Sequence, residues 1–399
     1  MQTEKSIWRC FMRKFGVIGG GNRGSLIRAV MDFPDWQLAA LADIDPARAD
    51  KFKEFYPEAK FTTNYRDLLA DPEICAVFIL TPDHLHEEHA VAALEAGKAV
   101  YLEKPLAITV EGCDRILKTA KATGTRLFVG HNMRYFPVVL KMKEVVDSGI
   151  IGEVQCAWCR HFVSYGGDAY FRDWHSEQKN TCGLLLQKGA HDIDVMNFIM
   201  DTQASRVVGM GRLSVYNRCE RRKADEAGCA AFRDEQYPPL ECKGFSPEMD
   251  VEDHNMIIMQ LKNGAQASYM QCHYTPDAER NYTFIGTKGR VENVGDYGNC
   301  EVHVWTQRGP RATPDIIYKL KPIPGTHGGA DPRIVKNFFD FITEGKATNA
   351  NPVAARDAVA TGVLGHKSMR NGNMPFDIPE VESGLREYFE NFQPGAKLV

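Results

Sequence analysis

No run of residues in this sequence approaches the ~20 consecutive apolar positions that a membrane-spanning helix requires. The longest clean runs, such as residues 76–80, are far shorter. The N-terminal tail, residues 1–14, carries Arg9, Arg13 and Lys14 but no apolar stretch with a small-residue cleavage site, so no secretory signal is expected. There is no surplus of positive charge. Forty-eight Lys and Arg stand against 52 Asp and Glu, a formal net charge of -4, too even to follow a nucleic-acid backbone or lie on an anionic bilayer. Cysteine is sparse and odd in number, 11 among 399 residues, which argues for reduced thiols in the cytoplasm rather than a disulfide framework. Neither nucleic acid nor membrane is an expected partner, and the near-neutral balance fits an uncharged small substrate.

What is present is a chain with 44% hydrophobic residues, ample for a substantial core. At roughly 100–200 residues per domain its length suits two domains. Short apolar runs at residues 15–18, 37–42, 75–80, 99–102 and 126–129 alternate with helical patterns, among them Leu26, Ile27, Val30 and Met31. Unbroken apolar runs imply strands buried on both faces, and strand–helix alternation implies a doubly wound parallel α/β sheet. The pattern then changes. Residues 154–162, 206–215, 256–261, 265–273, 282–285 and 302–306 look like strands, several of them alternating, and Asn263-Gly264 is a strong hairpin signal. Helices are expected at 192–199, 333–344 and 353–371, and 217–253 reads as a long irregular segment. The expected fold is therefore α/β. A doubly wound Rossmann domain spans residues 13–132, and an α+β domain with a large, mostly antiparallel open sheet spans 133–399.

Residues 15–24 read as a strand running into G-x-G-x-x-G and a helix, the dinucleotide fingerprint. Gly19 permits the tight turn, Gly21 lets a pyrophosphate approach the backbone, and Gly24 is expected to let helix and strand pack closely. Asn22 and Arg23 complete the loop, and the helix start offers free N–H groups to phosphate. Asp43 ends the next strand, about twenty residues on, where an acid binds the adenosine ribose. Ile44 follows it rather than an arginine, which favours NAD over NADP, with Arg48 the nearby residue able to turn toward a 2′-phosphate.

Three polar loops leave the same sheet edge: Thr81-Pro82-Asp83-His84-Leu85-His86, Glu103-Lys104-Pro105 and His131-Asn132-Met133-Arg134-Tyr135. Ligands of open α/β sheets bind at that edge. Pro105 holds Lys104 extended, and a partly desolvated lysine can serve as acid or base for a hydroxyl.

These motifs, together with Gly183…Gly189-x-His191-x-x-Asp194, resemble the Gfo/Idh/MocA oxidoreductase family over residues 15–371 or so. The resemblance implies a Rossmann domain, a C-terminal α/β domain whose open sheet builds a homodimer or homotetramer, and hydride transfer between NAD(P) and a sugar or polyol. It implies that Lys104 binds the reacting oxygen and that His191 is the acid/base. It places Thr81, Pro82, His86 and Glu103 on the nicotinamide half of the cofactor, and His84, Lys104, Asn132 and Arg134 in the same loops are assigned to the cofactor too. Tyr135, Arg172, Trp174, His175, Gln187 and Lys188 are candidate substrate contacts, since aromatic rings beside charged groups suit a sugar. His191 is read as opening a helix, with Asp194 orienting its ring.

One departure stands out. Inositol-dehydrogenase-like members carry an acid four residues before the histidine, and here the residue is Gln187, followed by Lys188. The proton relay is then altered, and two other functions stay open: a glycosidase that retains its NAD and works through transient oxidation of the ring, and a non-catalytic NAD(H)-binding regulator. No metal is expected. Cys156 and Cys159 have C-x-x-C spacing but lie in a strand. Cys219, Cys229 and Cys242, with His254, lack the spacing of a known zinc site.

Overall fold

The computed structural model describes residues 12–399 apart from 22, 227, 229–236 and 310–312; Asn22 and Cys229 therefore lie outside the described residues. The first sheet contains β1 (Arg13–Ile18), β2 (Trp36–Ala42), β3 (Lys60–Thr62), β4 (Ile74–Ile79), β5 (Ala99–Leu102) and β6 (Leu127–Val129). All pairs are parallel, in the order β3-β2-β1-β4-β5-β6. This is the doubly wound dinucleotide-binding order, with its crevice outside the carboxyl ends of β1 and β4. Every residue of β5 and β6 is buried, as unbroken apolar runs require.

The second sheet contains β7 (Val154–Phe162), β8 (Ala204–Arg212), β9 (His254–Leu261), β10 (Gln266–Cys272), β11 (Glu279–Gly286), β12 (Arg290–Val294), β13 (Cys300–Trp305), β14 (Ile316–Leu320) and β15 (Phe376–Asp377). Their order is β14-β13-β12-β11-β7-β10-β9-β8-β15, antiparallel except for β7 and β10. Alternation along β9 buries Ile257, Met259 and Leu261 and leaves Met256 and Ile258 exposed. One face thus packs beneath the helices Leu184–Met200 and Pro352–Arg370, while the other exposes Met210, Met256 and Ile258.

The helix Ala330–Glu344 carries the second half of the chain back onto the first sheet. Its Phe338 meets Phe78 edge-on, and its Phe339 stacks on Trp36 at 4.0 Å. Both phenylalanines are buried, and each contributes about 2–3 kcal/mol by leaving water.

Some elements differ from expectation. β3, β12, β14 and β15 are short or partly exposed and give no clean apolar run. Residues 213–215 leave β8 because Asp253 Oδ2 accepts from the amides of Ser214, Val215 and Tyr216. The helix expected at 192–199 begins at Leu184, so His191 sits mid-helix rather than at its start. Gly24 opens its helix as expected, but a Cβ there would meet nothing within 4 Å, so close helix–strand packing is not what the glycine serves. Among the described residues no helix is long and apolar enough to cross a membrane.

Candidate active site

The turn after β1 is built for close approach. Gly19 has φ +90°, and a Cβ on it would lie 2.8 Å from the Thr81 methyl and 2.9 Å from the Thr81 nitrogen. Only glycine takes that conformation in that space. Gly20 N–H donates to Asp43 Oδ2 at 2.8 Å, tying the loop to the end of β2. Arg48 lies alongside, its Nε 3.6 Å from Asp43 Oδ1 and its Nη1 donating to the Gly20 carbonyl.

Beyond β4 and β5 the loops meet the helix Leu184–Met200. Lys104 Nζ donates to the Gln187 carbonyl at 3.1 Å. Burial pushes the Lys104 ammonium below the usual lysine range, against the pull of Asp83 and Glu103. Lys188, next on the helix, lies over the Tyr170 ring at 4.5 Å. Burial, and then the charges of Lys104 and Arg280, hold its pKa well below normal. His191 follows one turn later on the same helix face. Burial first, then Lys104, His131, Arg280 and Lys188, push its pKa far down, so the ring is neutral. Its Nδ1 is buried without a hydrogen-bond partner, and so are Gln187 Oε1 and Asp83 Oδ2. Tyr170 also meets the His175 ring edge-on at 5.0 Å, and His175 stacks on Trp174 and is held by Asp173 at 2.5 Å. His84 meets Trp174 edge-on at 6.4 Å.

Three orphaned polar atoms, two depressed lysines and an aromatic wall share this one place. Unsatisfied buried polar atoms are costly, so a constellation of them marks a site for a polar ligand.

Residues 13–131 match the family model described as the oxidoreductase family, NAD-binding Rossmann fold, and residues 143–378 match that family's C-terminal alpha/beta domain. The chain belongs to the Gfo/Idh/MocA oxidoreductases. Levoglucosan dehydrogenase of Pseudarthrobacter phenanthrenivorans is 29% identical over 365 residues, 83% of this chain and 89% of that protein. Inositol 2-dehydrogenase of Salmonella typhimurium is 31% identical over 192 residues, 47% of this chain and 54% of that one. The fold matches a solved levoglucosan dehydrogenase complex with NADH and levoglucosan, with a TM-score of 0.75 at 21% identity over 92% of this chain and all of that one.

In this Gfo/Idh/MocA member several residues expected to face ligands are engaged elsewhere. Arg134, assigned to the cofactor, gives Nε and Nη2 to Asp194 and Nη1 to the Asn349 carbonyl. Asp194, expected to orient His191, instead takes Arg134 and lies 3.1 Å from His131 Nδ1. Tyr135, expected to touch substrate, donates to Asn337 on the helix that returns to the first sheet. Arg172 donates to the Lys243 carbonyl and lies over Phe245, bracing the irregular segment. His86 sits between the carbonyls of Pro105 and Thr81, at 2.6 and 2.9 Å, and fastens two loops together. Arg23 pairs with Glu103 at 2.8 Å and with Asp331 at 3.2 Å, and Asn132 reaches the same Asp331. Pro82 leads into the turn that carries Asp83.

Three residues of the site, Asp83, Arg280 and Asp192, have no role among the residues assigned from sequence. Asp83 is buried, and burial lifts its carboxyl to about 7 against the opposing pull of Lys104 and Lys188. Its signal was there, an acid inside a loop at the carboxyl end of β4. Arg280 and Asp192 form a 2.9 Å ion pair behind the lysines, joined by Tyr282 and His161. Arg280 lies on β11, where nothing in the local pattern sets it apart. Of the cysteine group, Cys219 donates to the Pro239 carbonyl and Cys242 to the Pro238 carbonyl, while His254 lies beside Asp253. Among the described residues no group of three or more His, Cys, Asp or Glu is arranged to hold a metal ion.

Proposed function

We propose that the chain is an NAD(P)-dependent oxidoreductase, with NAD preferred, that moves hydride between the nicotinamide and an alcohol carbon of a sugar, polyol or related derivative. The observation that carries this reading is the buried His191 ring, its Nδ1 without a hydrogen-bond partner, in one cluster with the half-buried Lys104 ammonium. The residues present suit the dinucleotide. The Gly19 turn leaves no room for a side chain, and Asp43 stands at the end of β2 with a half-exposed Arg48 beside it.

A bound nicotinamide supplies the hydride acceptor. Lys104 holds the substrate oxygen and stabilises negative charge developing on it, while His191, neutral through burial, accepts the hydroxyl proton. Lys188, Trp174, His175 and Gln187 line the space for the rest of the ring, whose hydroxyls supply orientation. In this reading residues 13–132 serve the cofactor and 133–399 the substrate. The sheet face that exposes Met210, Met256 and Ile258 supports a homodimer or homotetramer.

The test is a screen of free sugars, polyols and aryl glycosides with NAD⁺ and NADP⁺, read by absorbance. Net NADH formation with a free sugar or polyol supports the proposal, and Lys104→Met lowers that rate by about 10²–10⁴-fold while leaving NAD⁺ bound. Aglycone release without net NADH overturns it in favour of a redox-neutral glycosidase.

A further inference from the structure

Lys188 has no place in the proton transfer proposed above, yet it lies half-buried beside the two residues that do. An ammonium in that position is expensive unless a negative group answers it. The carboxylates around it are already engaged. Asp192 takes Arg280 at 2.9 Å, Tyr282 at 2.5 Å and His161 at 3.0 Å. Asp296 lies 3.4 Å from the other side of Arg280, Asp173 holds His175, and Asp194 holds Arg134. Among the described residues no carboxylate lies within 4.0 Å of Lys188 Nζ or Lys104 Nζ. What remains in the cluster is Lys188, Lys104 with the Gln187 carbonyl as its hydrogen-bond partner, and a single carboxyl, Asp83.

The nearest partner Lys188 does have is the face of Tyr170, 4.5 Å from the ring centroid, with Tyr165 further off at 5.8 Å. Such contacts offset only part of the desolvation of an ammonium. Next to it the Gln187 side chain is buried with Oε1 unpartnered, an acceptor open to a hydroxyl of the substrate. Lys188 and His191 are three apart on one helix, with Cβ atoms about 5–6 Å apart. A group bound at Lys188 therefore sits close to the carbon whose hydroxyl faces His191.

We propose that the substrate carries a carboxylate, as a uronic or aldonic acid does, and that Lys188 binds it, with Gln187 Oε1 accepting from a neighbouring substrate hydroxyl. This rests on the sugar-oxidoreductase reading above and narrows it to anionic sugars. The near-neutral charge of the whole chain does not oppose the idea, because charges outside the site are screened within about 8 Å at physiological salt. The carboxylate would cancel the excess charge of two lysines, and a bound oxidised nicotinamide adds to that excess.

The test titrates the NADH-saturated protein calorimetrically with D-glucuronate, D-galacturonate and D-gluconate beside D-glucose, D-galactose and myo-inositol. At least one acid is expected to bind about tenfold or more tighter than its neutral counterpart, the size of a charge-assisted hydrogen bond. Lys188→Met is expected to erase that margin and Lys188→Arg to keep most of it, with unchanged NADH affinity as the check on folding in both. A neutral sugar that binds as tightly as its acid, or a margin that survives Lys188→Met, overturns the proposal and leaves the oxidoreductase reading standing. If NADH binds and none of the six compounds does, the sugar reading fails and this inference with it.

Discussion

The Asp194 carboxylate accepts from Nε and Nη2 of Arg134, at 2.7 Å each, while His191, one turn earlier on the same helix, keeps a free Nδ1. The pair is fully buried and joins the loop after β6 to the helix that carries the site. Burial opposes ionisation of Asp194, but Arg134 and His131 hold it below the usual carboxylate range. Asp194 is a brace for His131 and Arg134, and its loss acts through the fold. Asp194→Asn is expected to cost about 3–5 kcal/mol, the range for breaking one side of a buried pair. Urea unfolding measures it. An unchanged midpoint with lost turnover would instead make Asp194 a direct partner of His191.

Asp83 faces Lys104 and Lys188 and titrates at about 7. Once ionised it favours the Lys104 ammonium, the form that stabilises an oxyanion. The rate of alcohol oxidation is therefore expected to rise with pH through about 7. Asp83→Asn should remove that limb without altering NAD⁺ affinity. His191 cannot be its source, because burial and its cationic neighbours hold its pKa well below 6.5. The measurement is kcat/KM from pH 5.5 to 8.5 for both proteins, and a limb that persists in the variant rules Asp83 out.

Structure that depends on neighbouring residues is legible in the sequence. Residues 15–18 and 99–102 are strands because unbroken apolar runs need burial on both faces, and Gly19 sits at the turn because φ +90° and the nearby Thr81 leave room for nothing larger. Structure that depends on a distant partner is not legible there. Arg134 and Tyr135 lie in the same loop as Asn132, yet their partners are Asp194 and Asn337, and no spacing in the sequence brings those together. His191 reads in the sequence as a helix start, whereas the helix runs through Gly189 with Tyr269 packed against that position. Arg280 joined the site only once β11 lay beside β7.

Asp43 has two tasks in this arrangement. Its Oδ2 accepts from Gly20 N–H, and its Oδ1 lies near Arg48. Asp43→Ala removes both the loop anchor and the acceptor proposed for the ribose hydroxyls. NAD⁺ binding should weaken about 10–100-fold, the range for a hydrogen bond to a charged group. NADP⁺ should lose less, since Arg48 is then freed of its carboxylate neighbour. Titrations with each cofactor check this, and an equal loss for both would show that the anchor alone matters.

Glu252 offers a test of the frame beneath the site. Its two oxygens accept from Nε and Nη2 of Arg370, each at 2.9 Å, and His366 Nδ1 lies 3.2 Å away. The other ring nitrogen of His366 accepts from Leu186 N–H in the first turn of the site helix, so Nδ1 carries the proton that faces Glu252. Burial disfavours the charged carboxylate, but His366 and Arg370 prevail and lower its pKa from 4.5 to about 2. A group depressed in the folded state adds stability above its unfolded pKa and loses it as pH falls through the folded one. Glu252 should thus contribute about 3 kcal/mol at pH 7, declining between pH 4.5 and 2. Glu252→Gln is expected to be less stable than the parent at pH 7 by that order, with the gap closing as the medium is acidified through this window. Urea unfolding of both proteins at pH 7 and pH 3.5 measures the gap. A gap equal at the two pH values would mean that the carboxylate charge is not what holds His366 and the helix start in place.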